Sequence, residues 1–165
     1  MTTEGLSKLD CYNEKQDQNS TFLRECEKNN LDQLQEISQL QKSGYTVLEY
    51  QLPKCGPDGW YAPVKVENDK KICVDKYGNQ IEKYEAKLNT PEANKMNCKC
   101  ARTKNLLSTS NSANKPELPL CQKNGNFEPK QCTKNPNECW CVDEDGNQIQ
   151  KEVSGTSTLQ CKDLS

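Results

Sequence analysis

The 165-residue sequence predicts a small disulfide-rich α+β fold used twice in tandem, each copy a helix followed by a short antiparallel sheet and loops. Three observations predict it. Leu, Ile, Val and Phe together supply 27 residues, about 16% of the chain, less than a domain held by its core alone carries. Eleven cysteines accompany that shortage, and cross-links take the place of a core where burial is insufficient. Two blocks of the sequence then occur a second time, which raises the number of structural units to two.

The first block, Leu52-Pro53-Lys54-Cys55-Gly56-Pro57-Asp58-Gly59-Trp60-Tyr61-Ala62-Pro63, aligns with Leu118-Pro119-Leu120-Cys121-Gln122-Lys123-Asn124-Gly125-Asn126-Phe127-Glu128-Pro129 at an offset of 66. Leu, Pro, Cys, Gly, an aromatic residue and the final Pro match. Cys73-Val74-Asp75-Lys76-Tyr77-Gly78-Asn79-Gln80-Ile81 aligns with Cys141-Val142-Asp143-Glu144-Asp145-Gly146-Asn147-Gln148-Ile149 at an offset of 68, with seven of nine positions identical. The second copy is therefore two residues longer between the blocks.

The elements follow in order. Between Thr21 and Lys42, the residues Leu23, Cys26, Leu31, Leu34, Ile37 and Leu40 recur mostly every three positions, and Ser43-Gly44 supplies a stop, so a helix is expected. Tyr45-Thr46-Val47-Leu48-Glu49-Tyr50 reads as a strand. The second unit has a shorter helix, Ala101 to about Ser108, and a Ser/Asn-rich loop from Ser108 to Pro116. Asp58-Gly59, Asn124-Gly125, Tyr77-Gly78-Asn79 and Asp145-Gly146-Asn147 mark turns between short strands. The expected division is an N-terminal extension at 1–20, a first unit at 21–98 and a second at 100–161. Lys99 alone separates Cys98 from Cys100, so two units closed by those cysteines must touch or hold a restricted angle.

Charge and composition exclude several functions. The 22 basic and 24 acidic residues are interspersed, which leaves no electrostatic footprint for nucleic acid or a membrane surface. Apolar runs are too short for a membrane span. Met1-Thr2-Thr3-Glu4-Gly5 lacks the apolar stretch of a signal peptide, and eleven cysteines suit an oxidising compartment, so the expectation is a mature secreted chain whose opening Met serves expression. The absence of histidine removes Ser-His-Asp and Cys-His catalysis and imidazole-dependent zinc sites. The pairs Asp143/Glu144 and Glu25/Glu27 sit in polar sequence and read as solvated surface. No enzyme and no cofactor are expected.

The second unit carries Gln131-Cys132, then Cys139-Trp140-Cys141-Val142, then Gly146, with Cys100 and Cys121 upstream and Cys161 downstream. This pattern resembles the thyroglobulin type-1 domain. The resemblance implies six cysteines paired in sequential order, Cys100–Cys121, Cys132–Cys139 and Cys141–Cys161, whereas sequence alone leaves 15 pairings open. In the first unit the Gln-Cys position is occupied by Lys65-Val66 and the Cys-Trp-Cys position by Lys71-Ile72-Cys73. Both members of the middle bridge are therefore missing together, and the resemblance implies Cys26–Cys55 and Cys73–Cys98. Cys11 is left over: a free thiol, a cysteine whose partner was trimmed, or an intermolecular link. Cys-x-Cys at Cys98/Cys100 and Cys139/Cys141 also permits a thiolate metal site, but such sites prefer Cys-x2-Cys spacing, and no metal is expected.

Inhibitory members of this family, the thyropins, block papain-like, cathepsin L-like cysteine proteases by wedging loops into the active-site cleft; others are adhesion, matrix or growth-factor-binding modules. The resemblance implies contact loops at Lys115, Pro116, Glu117 and Leu118, at Lys134, Asn135, Pro136 and Asn137, and at Ser154, Gly155 and Thr156. The partner expected is a papain-like protease; the alternative is another extracellular protein. Loops tied at their bases lose little entropy on docking, which suits a plug. The corresponding tip of the first unit, Glu67-Asn68-Asp69-Lys70, is shorter and unstapled. Trp60 and Tyr61 read as core rather than as an exposed anchor, and Trp140 as a packing centre. Asn19-Ser20-Thr21 is a glycosylation sequon.

Overall fold

The computed structural model describes residues 23–48, 50–110, 116–134, 137–154 and 159–164. The chain divides into two compact units, Met1–Tyr61 and Ala62–Ser165. The break thus falls inside the first repeated block. The strands that follow Ala62 pack on the helix that follows Cys98.

In the first unit, helix α1 spans Glu25–Lys42. Glu27 reaches back to accept the Arg24 N–H at 3.2 Å, which satisfies one of the helix's orphan donors. The helix ends as the Ser43 N–H turns to the Gln39 and Leu40 carbonyls, with Gly44 at φ +85°. Cys26 is fully buried and is bonded to Cys55, which pins the first helical turn to the segment 55–61. That segment is a closed turn in which Gly56 donates to Trp60 O at 2.7 Å and Gly59 donates to Gly56 O at 3.0 Å. Gly59, at φ +78°, lies so close to α1 that an added Cβ would stand 2.7 Å from Glu27 Oε2. Trp60 is buried, with the Arg24 guanidinium 5.3 Å from its ring centre, and the half-buried Tyr61 hydroxyl accepts from Asn29 Nδ2 at 2.6 Å. Both aromatics serve the small core.

The described residues of the strand expected over Tyr45–Tyr50 are not in a strand. They have no ladder partner among the described residues, and Tyr45 and Leu48 are 67% and 92% exposed. Alternation makes a strand only where one face has something to pack on. Leu31, Leu34 and Leu40 of α1 are likewise exposed.

The second unit opens with an antiparallel sheet of β1 (Val64–Glu67), β2 (Lys70–Val74) and β3 (Gln80–Lys87), in that order. The β1–β2 turn needs two residues, Asn68 and Asp69, and Asn68 takes the left-handed conformation that such turns demand, φ +54°. Ile72, Cys73, Val74, Ile81, Tyr84 and Ala86 bury their side chains. Short helix α2 (Pro91–Lys95) begins at Thr90, whose Oγ1 accepts the Ala93 N–H at 3.3 Å. Helix α3 runs Lys99–Thr109, a residue or two longer at each end than its sequence pattern. A second antiparallel sheet contains β4 (Lys130–Cys132), β5 (Glu138–Cys141) and β6 (Val153–Ser154).

A core cluster in this unit gathers Cys73, Ile81, Tyr84, Ala86, Ala93, Met96, Cys98 and Ala101, with Val64 and Cys121 packed against it. Residues on both sides of Lys99 contribute. The turn Lys123–Asn126 locks the halves together. Lys123 O accepts from Glu85 N at 3.1 Å, and Gly125 O accepts from Ala101 N at 3.0 Å. Asn126 has no solvent exposure; its Oδ1 accepts from Asn97 N at 2.8 Å and its Nδ2 donates to Lys95 O at 2.8 Å. Arg102 adds two more ties, to Val74 O and Asp75 O, each at 2.8 Å. Lys99 pairs with Asp145.

The repeated blocks adopt the same local hydrogen bonding. Gln122 donates to Asn126 O and Gly125 to Gln122 O, as Gly56 and Gly59 do in the first unit. Asp75 Oδ1 accepts from Tyr77 N and Asn79 N, and Asp143 Oδ1 from Asp145 N and Asn147 N.

Candidate functional site

The loops proposed for contact are held from beneath by β4, β5 and two side chains. Gln131 lies on β4 and is 6% exposed. Its amide serves both backbone groups of one residue: Oε1 accepts the Leu120 N–H at 2.8 Å, and Nε2 donates to Leu120 O at 2.8 Å. Nε2 also donates to Glu128 O at 2.8 Å. Of the side chains that fit a strand position, an amide alone offers a donor and an acceptor so placed. Segment 116–120 is therefore anchored at its last residue, while Leu118 and Leu120 are 43% and 46% exposed.

The tip between β4 and β5 is closed twice. Cys132 and Cys139 face each other in the ladder and are disulfide-bonded, and Thr133 N donates to Glu138 O at 2.9 Å. Glu117 then crosses from the first loop to the second, its Oε1 accepting the Lys134 N–H at 3.2 Å. The third piece joins by pairing, Glu138 with Ser154 and Cys139 with Val153. Lys134, which follows β4, and Ser154 of β6 thus lie at one end of the three-stranded sheet, and Glu117 is tied to that end through Lys134. Pro116 is half-buried, whereas Leu118 and Asn137 are exposed. Lys115, Asn135, Pro136, Gly155, Thr156, Asn19 and Cys11 lie outside the described residues.

Ten cysteines form five disulfides, Cys26–Cys55, Cys73–Cys98, Cys100–Cys121, Cys132–Cys139 and Cys141–Cys161. Both Cys-x-Cys pairs are thus consumed in bridges. Among the described residues no group of three or more His, Cys, Asp or Glu side chains could hold a metal ion. Among them too, no helix is long and apolar enough to cross a membrane. Trp140 is half-buried between its bridged neighbours.

The turn below β5 is stiffened electrostatically. Asn147 donates its side-chain amide and its backbone N–H to Asp143, which holds that carboxyl below the ordinary aspartate value. Lys99, hydrogen-bonded to Asp145, has its ammonium pKa raised.

Two structural roles are not legible in residue order. Gln131 stands in the Gln-Cys motif, and the one signal of its role is a polar residue at an inward position of a strand. Asn126 carried no local signal at all, since its partners Lys95 and Asn97 are brought to it by the fold.

Fold and tied loops together define a class: small, disulfide-stapled α+β proteins that present such loops. Residues 98–161 match the family model of the thyroglobulin type-1 repeat, so the chain carries such a repeat over β4–β6, helix α3 and three of the disulfides. Similar proteins include thyroglobulin of Rattus norvegicus, 35% identical over 101 residues, which cover 59% of this chain and 4% of that protein. Equistatin of Actinia equina is 34% identical over 101 residues, 59% of this chain and 42% of that protein. U24-ctenitoxin-Pn1a of Phoneutria nigriventer is 28% identical over 113 residues, 67% and 82% of the two chains. The chain thus spans a small fraction of the thyroglobulins it matches.

Proposed function

We propose that the protein is a secreted inhibitor of papain-like, cathepsin L-like cysteine proteases that occupies the active-site cleft with the loops around 115–118, 134–137 and 154–156. The observation that carries this reading is the preformed tip, closed by Cys132–Cys139 and tied to the preceding loop through Glu117 and Lys134. A plug built this way has little conformational freedom left to lose on docking. It also resists the extended pose that a protease needs for cleavage. The repeat at 98–161 belongs to a family with inhibitory members, and five disulfides suit a secreted protein.

In this reading residues 21–98 are a second, degenerate unit of the same kind, following an extension at 1–20. The paired turns at Gly56–Trp60 and Gln122–Asn126 and the paired Asp75 and Asp143 turns support that assignment. A second reading, a non-inhibitory module for another extracellular protein, draws on the similarity to thyroglobulins, of which such a stretch is a small part. Titration of the protein against papain and cathepsin L separates the two. Inhibition at or below micromolar concentration, competitive with substrate, is expected; full protease activity at that concentration selects the second reading.

A further inference from the structure

We infer that Gln131 and Glu117 are positioning residues for partner recognition, and that the surface they organise belongs to the second repeated unit and not to the first. The inference rests on the inhibitor reading above for its partner and on geometry for its mechanism.

Gln131 fixes the height of Leu120 by holding both its backbone groups, and Glu117 sets the distance from that loop to the tip by accepting the Lys134 N–H. Remove either and the loops keep their covalent ends but lose their mutual register. A rigid plug depends on that register, because each immobilised loop that must instead be ordered on docking lowers affinity. The first sequence repeat shows what the absence looks like. At the position aligned with Gln131 stands Lys65, an exposed residue of β1 whose ammonium lies 3.7 Å from Glu67. An ammonium donates three hydrogen bonds and accepts none, so it could not hold an N–H and a C=O of one residue together. The same repeat lacks the middle disulfide, with Val66 and Lys71 paired across β1 and β2 in its place.

Glu117 is exposed, and a direct charge contact with the protease is the competing role. The carboxylamide of Gln accepts a hydrogen bond as a carboxylate does but carries no charge. Glu117→Gln therefore keeps the tie and removes the charge, and Glu117→Ala removes both.

The experiment measures the inhibition constant for papain, its association and dissociation rates, and amide hydrogen exchange of the free protein, on the full chain with five bridges verified by intact mass. Gln131→Lys is expected to raise the inhibition constant about tenfold, chiefly through faster dissociation, and to speed exchange at Leu120. Glu117→Ala is expected to weaken inhibition about threefold to fivefold and to speed exchange at Lys134, with Glu117→Gln within about twofold of the parent. Unchanged inhibition by Gln131→Lys, or Glu117→Gln as weak as Glu117→Ala, overturns the inference and leaves the inhibitor reading standing. If Gln131→Lys fails to form its bridges, the Glu117 pair decides. A parent protein that does not inhibit papain overturns the inhibitor reading and the affinity arm with it; unchanged exchange at Leu120 and Lys134 in the variants then removes the tie as well.

Discussion

Gly125 lies against the Sγ of Cys73, so close that a Cβ on the glycine would collide with the sulfur and would also stand 3.2 Å from Ala101 Cβ. The contact joins the two sequence repeats where Cys73 and Cys98 have no exposure. Three left-handed glycines sort by what surrounds them: Gly125 meets this disulfide, Gly146 meets the Phe127 ring at 2.6 Å, and Gly44 meets nothing within 4 Å.

Alanine at these glycines separates backbone strain from crowding. Gly44→Ala should cost about 1 kcal/mol, the left-handed penalty alone. Gly125→Ala should cost about 3 kcal/mol or more, since overpacking adds to it. Urea titrations followed by amide resonances of α1 for the first variant and α3 for the second check the ranking. Equal costs would show that the disulfide yields freely.

Asn126→Ala should destabilise the Ala62–Ser165 unit by about 2–4 kcal/mol, because the Asn97 N–H and Lys95 carbonyl are left buried without partners. Asn126→Asp keeps the acceptor but buries a charge beside that same carbonyl and should be no better. Chemical denaturation is the measurement; a loss below 1 kcal/mol for both variants contradicts the lock.

Bridges should rank by the loop they close and by burial. Replacing Cys73 and Cys98 together with alanine opens a loop of 25 residues, worth about 3.5 kcal/mol by chain entropy, in addition to core packing. Replacing Cys132 and Cys139 opens one of 7, worth about 2.5 kcal/mol. The second pair should therefore be the milder loss to stability. Complete reduction should unfold the chain, and a circular-dichroism spectrum unchanged in excess dithiothreitol would contradict that.

Asp143 ties pH to the turn beneath β5. Its folded pKa is depressed below 3.8, foremost by the Asn147 side-chain amide. The stabilisation is therefore complete above the unfolded aspartate pKa, about 3.9, and is lost as pH falls through the lower folded value. A carbon-detected titration should place Asp143 below the ordinary aspartate value, and Asn147→Ala should move it upward. An Asp143 midpoint unmoved by that substitution rejects the cause.

The helix α1, helix α3, the glycine turns and the two repeated blocks were legible from residue order, because each is closed by hydrogen bonds between residues about three to five positions apart. The absence of a strand at 45–50 was not, since alternation describes a side-chain pattern and says nothing about whether a neighbouring strand exists. Likewise the candidate edge was legible as three loops. The ties that make them one surface, Gln131 to Leu120 and Glu117 to Lys134, join residues eleven and seventeen positions apart through a β-ladder. That Ala101 and Cys121 of the second repeat pack on a core supplied mainly by the residues before Lys99 was decided only by tertiary structure: the short strands have too little apolar surface to bury among themselves, and the residues that complete the core are brought to it from far along the chain.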